Sequence, residues 1–420
     1  MVFYYYIGNK CDIMVIDKNN KKGNIMMTES KQISTTYVIK LVAVSVGHFL
    51  NDFYMNLIPP ILFLFAQSLG LNLSQQAFIA FIITSSGSFV QPVIGYFVDK
   101  KGEPWLLIFS LVWISFWMSI SGIINNYYLL IVFTGLGALA SALFHPLGSA
   151  VAVKLANKSR GTSLSIFMTI GGFAASVSPI VAIPAVKAYG LDVLIYFMIP
   201  GILVAMFMFI AKLHKVEIKQ TKTETSVQSG KFDITAIKNI SFLVFISSSK
   251  VLIRSFLVTF GIQIMMLKQV DVTVSGLILS VFLLTSSIGT IVGGYLNDRF
   301  GSKRVLLLFN LMLFLCMIII VFFDGMFTAV GFILMGLALS GSSTANIVMT
   351  YELMPDNLNT ATGLIMGLSG GLGGLIMLLF GKIADIQGLI NSTSYLIIPI
   401  VMVVFISFLL SNSKIVDKFE

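Results

Sequence analysis

Four ionisable side chains lie inside long apolar runs of the chain, where a charge is unusual. His48 and Asp52 are four residues apart, and so are Lys250 and Arg254. On a helix this spacing places each pair on one face. An ionisable residue at membrane depth costs about 3 kcal/mol on insertion scales and normally faces a cavity or a partner. We therefore expect a polar site that binds an anion and exchanges a proton.

Each of these residues is suited to a different task. Arg254 offers a planar fork for a phosphonate, phosphate or carboxylate, and Lys250 adds a point charge. Asp52 can exchange a proton as nearby cations engage or release substrate, and the imidazole of His48 can relay that proton. Two simpler interpretations stay open. Asp52 forms an inert buried ion pair with Arg254 or Lys250 that docks two halves of the protein, or His48 is only a hydrogen-bonded helix contact.

Other polar residues in apolar runs are candidates for the same site. His145 precedes Pro146, which removes a helix hydrogen bond and opens a kink. His145 therefore either lines and gates a cavity or is a packing histidine. Glu352 is either a solvated charge at a helix end or part of a proton route. Three asparagines are further candidates for polar contacts: Asn51, Asn56 and Asn346.

The composition indicates the solvent in which these residues fold. Hydrophobic residues make up 57% of the chain and charged residues 11%, and the mean hydropathy is +0.94. A soluble domain has about 25% charged residues. In lipid, only helices and closed barrels satisfy the backbone. The apolar stretches are long and do not alternate, so they predict membrane-spanning helices.

Twelve apolar segments reach the roughly 20 residues that a membrane helix needs. The predicted fold is an all-α integral membrane protein with two six-helix bundles, at residues 37–212 and 240–412. A polar tail (1–36, with neither a signal peptide nor a span), a linker (213–239) and a C-terminal tail (413–420) lie outside the membrane. The segments, numbered span 1 to span 12, are predicted at 37–58, 75–98, 104–124, 127–153, 161–187, 191–212, 240–266, 272–297, 303–323, 327–352, 360–385 and 393–412.

Lysine and arginine are distributed unevenly between the loops. Placing both termini in the cytoplasm leaves only Lys187, Lys268 and Lys382 on the outer side. This obeys the positive-inside rule and predicts a multi-pass protein of the bacterial inner membrane. The formal net charge of +9 then reflects topology and contact with anionic lipid. We expect the lipid bilayer as a partner and no nucleic acid.

Several classes of function lack a signature. Cys11 and Cys316 form no framework, and the histidines His48, His145 and His214 are too scattered in spacing to suggest zinc. No glycine-rich phosphate loop follows a strand pattern, so ATP hydrolysis is not expected. No nucleophile and base stand out. We expect a protein that is not an enzyme and has neither a metal nor a cofactor.

One short phrase occurs twice, at residues 95–102 and 294–301, and its two aspartates are 199 positions apart. The two pairs of ionisable residues are related by a similar offset of 202 positions. An internal repeat of this size indicates two similar halves, with the binding site between them. The aspartates are placed to cap the first turns of spans 11 and 5 and to gate the site. The predicted gating residues are Gly95, Asp99, Lys100, Arg160, Gly294, Asp298, Arg299 and Gly301.

The repeated phrase, Gly-x-x-x-Asp-Lys/Arg-x-Gly, resembles the loop motif of the major facilitator superfamily. Two basic residues usually follow that motif. The second copy keeps them as Lys303 and Arg304, whereas the first copy has Glu103 and Pro104, so its gate is expected to be weaker. The resemblance implies two six-helix bundles that work by alternating access, with substrate between spans 1, 4, 7 and 10.

Four segments narrow this resemblance. Residues 171–179 are similar to the span-5 antiporter motif, with Ser178 where glycine is usual. Residues 47–54, 144–148 and 351–355 resemble the fosmidomycin-resistance branch. That branch implies export, driven by the proton gradient, of a small and anionic drug or metabolite by a monomer. Uptake of an organic anion by proton symport remains an alternative, as does a membrane sensor that transports nothing.

Overall fold

The computed structural model describes the backbone of residues 2–7, 10–15, 35–101, 103–155, 160–216, 234–354, 361 and 363–410. It describes the side chains of residues 36–90, 103–152, 154–155, 167–216, 236–354, 361 and 364–410. All structural statements below concern these residues.

Twelve helices in the described chain are long and apolar enough to cross a membrane, as predicted. Large apolar side chains such as Phe209, Leu379 and Phe405 are about 60% exposed, which suits a surface that faces lipid. The spans run Thr36–Leu69, Leu73–Val90, Trp105–Ile123, Tyr127–Ala152, Phe167–Tyr189, Leu191–Ile210, Ala236–Leu267, Val272–Phe300, Ser302–Phe322, Met326–Leu353, Leu364–Gln387 and Leu389–Leu409.

The helices of spans 2, 4 and 5 extend beyond these apolar windows, and several spans are interrupted. The helices of spans 2, 4 and 5 occupy Leu73–Lys101, Tyr127–Leu155 and Arg160–Tyr189.

Span 11 begins with a π-helical segment, Gly363–Leu368, and continues as an α-helix over Ser369–Gln387. π-helical segments are rare and often occur near functional sites.

Span 1 is longer than predicted, and it is broken. A first helix, Thr35–Met55, is followed by a 3-10 turn at Pro59–Ile61 and a second helix at Leu62–Leu69. The prediction that span 1 ends at residue 58 was wrong. Two consecutive prolines have no amide hydrogen and interrupt the hydrogen-bond ladder, but the apolar sequence continues and the chain resumes a helix beyond them.

The break in span 1 leaves a carbonyl without its normal helical donor. The carbonyl oxygen of Asn56 would accept from the amide of residue 60, which is Pro60 and has none. The hydroxyl of Ser178 in span 5 donates to this oxygen instead, at 2.9 Å. The antiporter motif that span 5 resembles usually has glycine at this position. Here Ser178 supplies the hydrogen bond that the Asn56 carbonyl lacks at the break in span 1.

The two halves meet along two pairs of spans, and the internal repeat relates one pair to the other. Span 2 of the first half packs on span 11, and span 5 packs on span 8 of the second half. Within each half the first span packs on the fourth, so span 1 contacts span 4 and span 7 contacts span 10. This arrangement surrounds the centre of the protein with spans 1, 4, 7 and 10, the four helices that carry the predicted site residues.

The first residues form an element that the sequence did not lead us to expect. Strands β1 (Val2–Ile7) and β2 (Lys10–Val15) pair antiparallel, with Val2 opposite Val15. The tail was expected to be polar, with neither a signal peptide nor a span. Its opening sequence, VFYYYI, is however rich in aromatic and β-branched residues, which favour strands.

Candidate functional site

Asp52 lies between two histidines from different spans. The Nε2 atom of His48 is 3.4 Å from Oδ2 of Asp52, and the Nε2 atom of His145 is 3.4 Å from Oδ1. The side chains of Asp52 and His145 are 19% and 32% exposed, whereas that of His48 is 2% exposed. The carboxylate is therefore held from the buried side by one histidine and from the open side by the other.

His48 is fixed by span 5. Its Nδ1 atom is 2.7 Å from the carbonyl oxygen of Phe167, and its ring stacks on the Phe167 ring with 4.0 Å between the centroids. A methyl group at Gly171 would overlap three atoms of the imidazole. Glycine at position 171 is therefore required by the close approach of this ring. His48 is thus a helix contact and a partner of Asp52 at once, so the two interpretations of it do not exclude each other.

Two asparagines hold Asp52 in place. The Asn51 amide donates to Oδ1 of Asp52 at 3.0 Å and to the Ser141 hydroxyl in span 4 at 3.1 Å. The Asn56 amide donates to the main-chain oxygen of Asp52 at 2.8 Å. Asn51 was predicted to contact substrate, but both donors of its amide group face protein acceptors here, and its side chain is fully buried.

Lys250 has only neutral partners among the described residues. Its ammonium group donates to the hydroxyls of Ser342 and Ser343 in span 10, each at 2.9 Å. Ser342 in turn donates to Asn310 of span 9 at 3.1 Å. Lys250 is 6% exposed. A second lysine with the same exposure, Lys268, contacts a carboxylate instead, that of Asp324, at 2.8 Å.

Arg254 lies close enough to Asp52 for their charges to interact. Neither Arg254 nor Lys250, however, comes within 4.0 Å of a described carboxylate, since the ion pairs found there involve His48, His145 and Lys268. The simple ion pair between Asp52 and a cation of span 7 is therefore absent from this structure. The site has an acid with two histidines on one side and two cations without a close counterion on the other.

The other predicted site residues are placed less centrally. Glu352 is next to the last residue of the span-10 helix and is not part of the group around Asp52. Asn346 holds span 10 to span 7, since its amide donates to the Ser247 hydroxyl at 2.7 Å and to the carbonyl of Leu243 at 3.1 Å. Its contribution to the polar site stays a prediction.

The gating motif is described in its second copy. Asp298 is exposed at the end of span 8 and makes no hydrogen bond or ion pair with a described residue. Arg299 donates to the Tyr295 hydroxyl at 3.4 Å, and Gly301 (φ +80°) permits the sharp turn into span 9. The side chains of Gly95, Asp99, Lys100 and Arg160 lie outside the described residues, so the predicted contacts with spans 5 and 11 stay predictions.

The two halves are joined at the opposite face, which we call the far face. The carboxylate of Asp385 at the end of span 11 accepts from the amides of Leu73 and Ser74 in span 2, at 2.8 and 3.0 Å, and from the Ser74 hydroxyl. At the second pair of spans between the halves, the ammonium of Lys187 in span 5 donates to the Thr273 hydroxyl of span 8 at 3.2 Å. These contacts join the two halves at the far face.

Sequence reasoning missed the residues that complete the site from other spans. Ser141, Ser342 and Ser343 hold the ionisable residues, and Asp385 closes the far face. Hydroxyl groups within apolar runs give only a weak signal because a helix can satisfy them internally. The histidines were expected to be too scattered for zinc. Two of them, His48 and His145, nevertheless converge on Asp52 with their ligand atoms within 4.8 Å of one another, a proximity that spacing along the chain does not show.

The twelve-span fold and the family to which it belongs are those of a membrane transporter rather than an enzyme. The chain belongs to the major facilitator superfamily, whose family model matches residues 44–268 and 244–418. Two matched segments of one chain agree with two similar halves.

Two proteins from other bacteria are similar to this chain along most of their length. The chain is 30% identical over 378 residues to the uncharacterized MFS-type transporter YfnC of Bacillus subtilis, covering 86% of this chain and 90% of that protein. It is 25% identical over 349 residues to the fosmidomycin resistance protein of Escherichia coli, covering 82% and 86%.

Solved structures share the fold at low sequence identity. The nucleoside transporter NupG superposes with a TM-score of 0.73 and 13% identity, covering 88% of this chain and 98% of NupG. The fucose:proton symporter FucP of E. coli superposes with a TM-score of 0.57 and 15% identity, covering 90% and 100%. These similarities support the architecture and carry no information on substrate.

Proposed function

We propose that the protein is a proton-coupled transporter that exports a small organic anion, such as a phosphonate drug or a metabolite, across the bacterial inner membrane. It acts as a monomer with both termini in the cytoplasm and uses the proton gradient as its energy source. The halves alternate in opening the two faces. The relative that confers fosmidomycin resistance supports efflux and a phosphonate as the first substrate to test.

The observation that carries this proposal is the pair of cations in span 7. Lys250 and Arg254 lie at membrane depth without a described carboxylate within 4.0 Å, while the equally buried Lys268 has one. A buried charge without a counterion is unfavourable. An anionic substrate would supply the missing charge, with the guanidinium as a fork and the ammonium as a point charge.

Proton coupling rests on the group around Asp52. Its carboxylate has a histidine on each side, and one of these, His145, is partly open to solvent. Imidazole changes its charge near physiological pH, so it is suited to pass a proton. Coupling requires only that proton and substrate differ in their preference for the two open states.

One observation favours a second candidate, uptake by proton symport. An ionised Asp52 attracts Arg254 and competes with a substrate anion for it. Protonation of Asp52 would release Arg254, so that proton and anion bind together. In export by exchange, proton and anion instead bind in turn.

The sign of the proton gradient distinguishes these candidates. Proteoliposomes are supplied with radiolabelled fosmidomycin outside, with the interior either more acidic or more alkaline than the medium. An exchanger accumulates the drug when the interior is acidic, and a symporter when the exterior is acidic. No gradient-dependent movement of fosmidomycin or of other organic anions would contradict the proposed function.

The residues are tested in the same vesicles. Arg254→Ala and Lys250→Met each remove charge-assisted hydrogen bonds worth about 1.5–3 kcal/mol, which predicts roughly 10- to 140-fold weaker substrate binding. Asp52→Asn should spoil proton coupling. The control is Lys382→Gln, which removes a lysine that is exposed on span 11. Full transport in the span-7 variants, or an equal loss in the control, would remove this site from consideration.

A further inference from the structure

Three side chains from two spans converge at the proton site in the manner of metal ligands. We propose that His48, Asp52 and His145 form a binding site for one divalent transition-metal ion of the zinc class. The ion would bind to the same nitrogen and oxygen atoms that carry the proton in the proposed function. Its effect on transport therefore rests on that function. Binding of the ion itself does not.

The hydrogen bonds of His48 determine which of its nitrogens is available. Nδ1 is 2.7 Å from the carbonyl oxygen of Phe167. A carbonyl oxygen can only accept, so Nδ1 is the nitrogen that carries a hydrogen. In the neutral ring Nε2 then has a free electron pair. A donor to a backbone carbonyl on one nitrogen and a free pair on the other is the usual arrangement of a histidine that binds a metal.

That free nitrogen faces another acceptor. Nε2 of His48 is buried, has no hydrogen-bond partner among the described residues, and is 3.4 Å from Oδ2 of Asp52. Two electron pairs that face each other across this distance require a cation between them. A proton satisfies the pair, and so does a metal ion that also reaches His145.

The distances suit a tetrahedral ion. Bonds of about 2.0–2.1 Å from zinc to nitrogen and oxygen place ligand atoms ~3.3–3.4 Å apart. Each histidine nitrogen is 3.4 Å from a different Asp52 oxygen, that of His48 from Oδ2 and that of His145 from Oδ1, and the ligand atoms of the three residues lie within 4.8 Å of one another. The rings of His48 and His145 are nearly perpendicular, with centroids 5.1 Å apart, so both direct Nε2 at the carboxylate without stacking. Two imidazoles and one carboxylate leave a fourth position for water or an anion.

Neighbouring residues also hold two of the three ligands, Asp52 and His48, in position. The amide of Asn51 donates to Oδ1 of Asp52, the Phe167 carbonyl and ring hold His48, and Gly171 leaves room for the imidazole. Such outer contacts orient metal ligands and raise affinity. His145 is partly exposed and is the ligand by which an ion would enter.

An ion held here would join span 1 to span 4 and replace the exchangeable proton. We therefore expect zinc to inhibit transport by the wild-type protein at concentrations that saturate the site.

The test measures metal binding without substrate or gradient. Full-length protein carrying an affinity tag without histidine is equilibrated with Zn²⁺ in detergent, and bound zinc per chain is determined by mass spectrometry. Co²⁺ absorption then reports the coordination geometry. His145→Ala and Asp52→Asn should bind about tenfold or more weakly. The matched control is His214→Ala, because His214 stacks on Phe209 in span 6 and is the remaining one of the three histidines.

We expect one zinc ion per chain in the wild type and in the His214 variant, with a tetrahedral Co²⁺ spectrum. Absence of stoichiometric zinc, an octahedral spectrum, or equal loss in all three variants would overturn the proposal. These results are independent of the vesicle experiment. A protein that binds zinc but moves no anion would contradict the proposed function alone, and the reverse result would contradict only the metal site.

Discussion

Replacing Gly171 by alanine should disable the proton site through His48. The added methyl group would overlap the imidazole, and the ring can move aside only by giving up its stacking on Phe167 and its hydrogen bond to that residue's carbonyl. Overpacking costs about 1–3 kcal/mol, and a lost hydrogen bond adds about 1 kcal/mol. The sum, about 2–4 kcal/mol, corresponds to a roughly 30- to 700-fold lower population of the native ring position.

Proton-coupled transport in vesicles and thermal unfolding in detergent measure this effect. The neighbouring variant Gly172→Ala is the control, because its methyl group would meet the Ser287 hydroxyl oxygen at 3.0 Å, which can rotate away, and the Cβ of Ser287 at 3.7 Å, an ordinary van der Waals contact. Gly171→Ala should lose most transport, and Gly172→Ala should keep most of it.

A double-mutant cycle separates this mechanism from general damage to span 5. His48→Ala removes the ring, so the additional change Gly171→Ala should then cost little stability, and the two effects should be non-additive by about 2 kcal/mol or more. Additive effects on stability, or equal loss of transport in both glycine variants, would refute the reasoning.

Three further predictions concern the break in span 1 and the far face. Ser178→Ala leaves the carbonyl of Asn56 without its donor and should lower the free energy of unfolding by about 1 kcal/mol, measured by thermal unfolding; an unchanged stability would contradict the role of this hydroxyl. Asp385→Asn removes the charge that accepts three donors of span 2 and should shift the protein towards opening of the far face, seen as longer distances between spin labels on spans 2 and 11. Two backbone amides of span 8 lower the pKa of Asp271 from its usual value, so this cap contributes stability above the ordinary aspartate pKa of about 3.9 and loses it as the pH falls through the lowered value. Asp271→Asn should abolish that acid-dependent loss, and an unchanged pH profile of unfolding would argue against it.

The described polar contacts between the ends of the two halves lie at the far face. Asp385 and Lys187 join the halves at the far face, whereas Asp298 at the other face is exposed. The proposed cycle requires the reverse in the other state, with the gating aspartates engaged and the Asp385 contact broken.

The sequence predicted much of the fold because the bilayer imposes local requirements. A span must be about 20 residues long and apolar, so each of the twelve spans can be identified from its own residues. The interrupted span 1 shows where this reasoning ends. Consecutive prolines ended the predicted helix, but they could not show that a second helix follows at Leu62–Leu69 or that Ser178 of span 5 would serve the freed carbonyl.

By itself, the sequence determined the class of protein, its repeat and the pairs that share a helix face, because spacing along one helix fixes which side chains are neighbours. His48 and Asp52 are such a pair. The tertiary structure alone decided the partners from other spans. It brought His145 to Asp52, placed Lys250 against two serines and left Arg254 without a close counterion among the described residues. These contacts depend on the rotation and register of one helix against another, which the residues of a single helix do not specify.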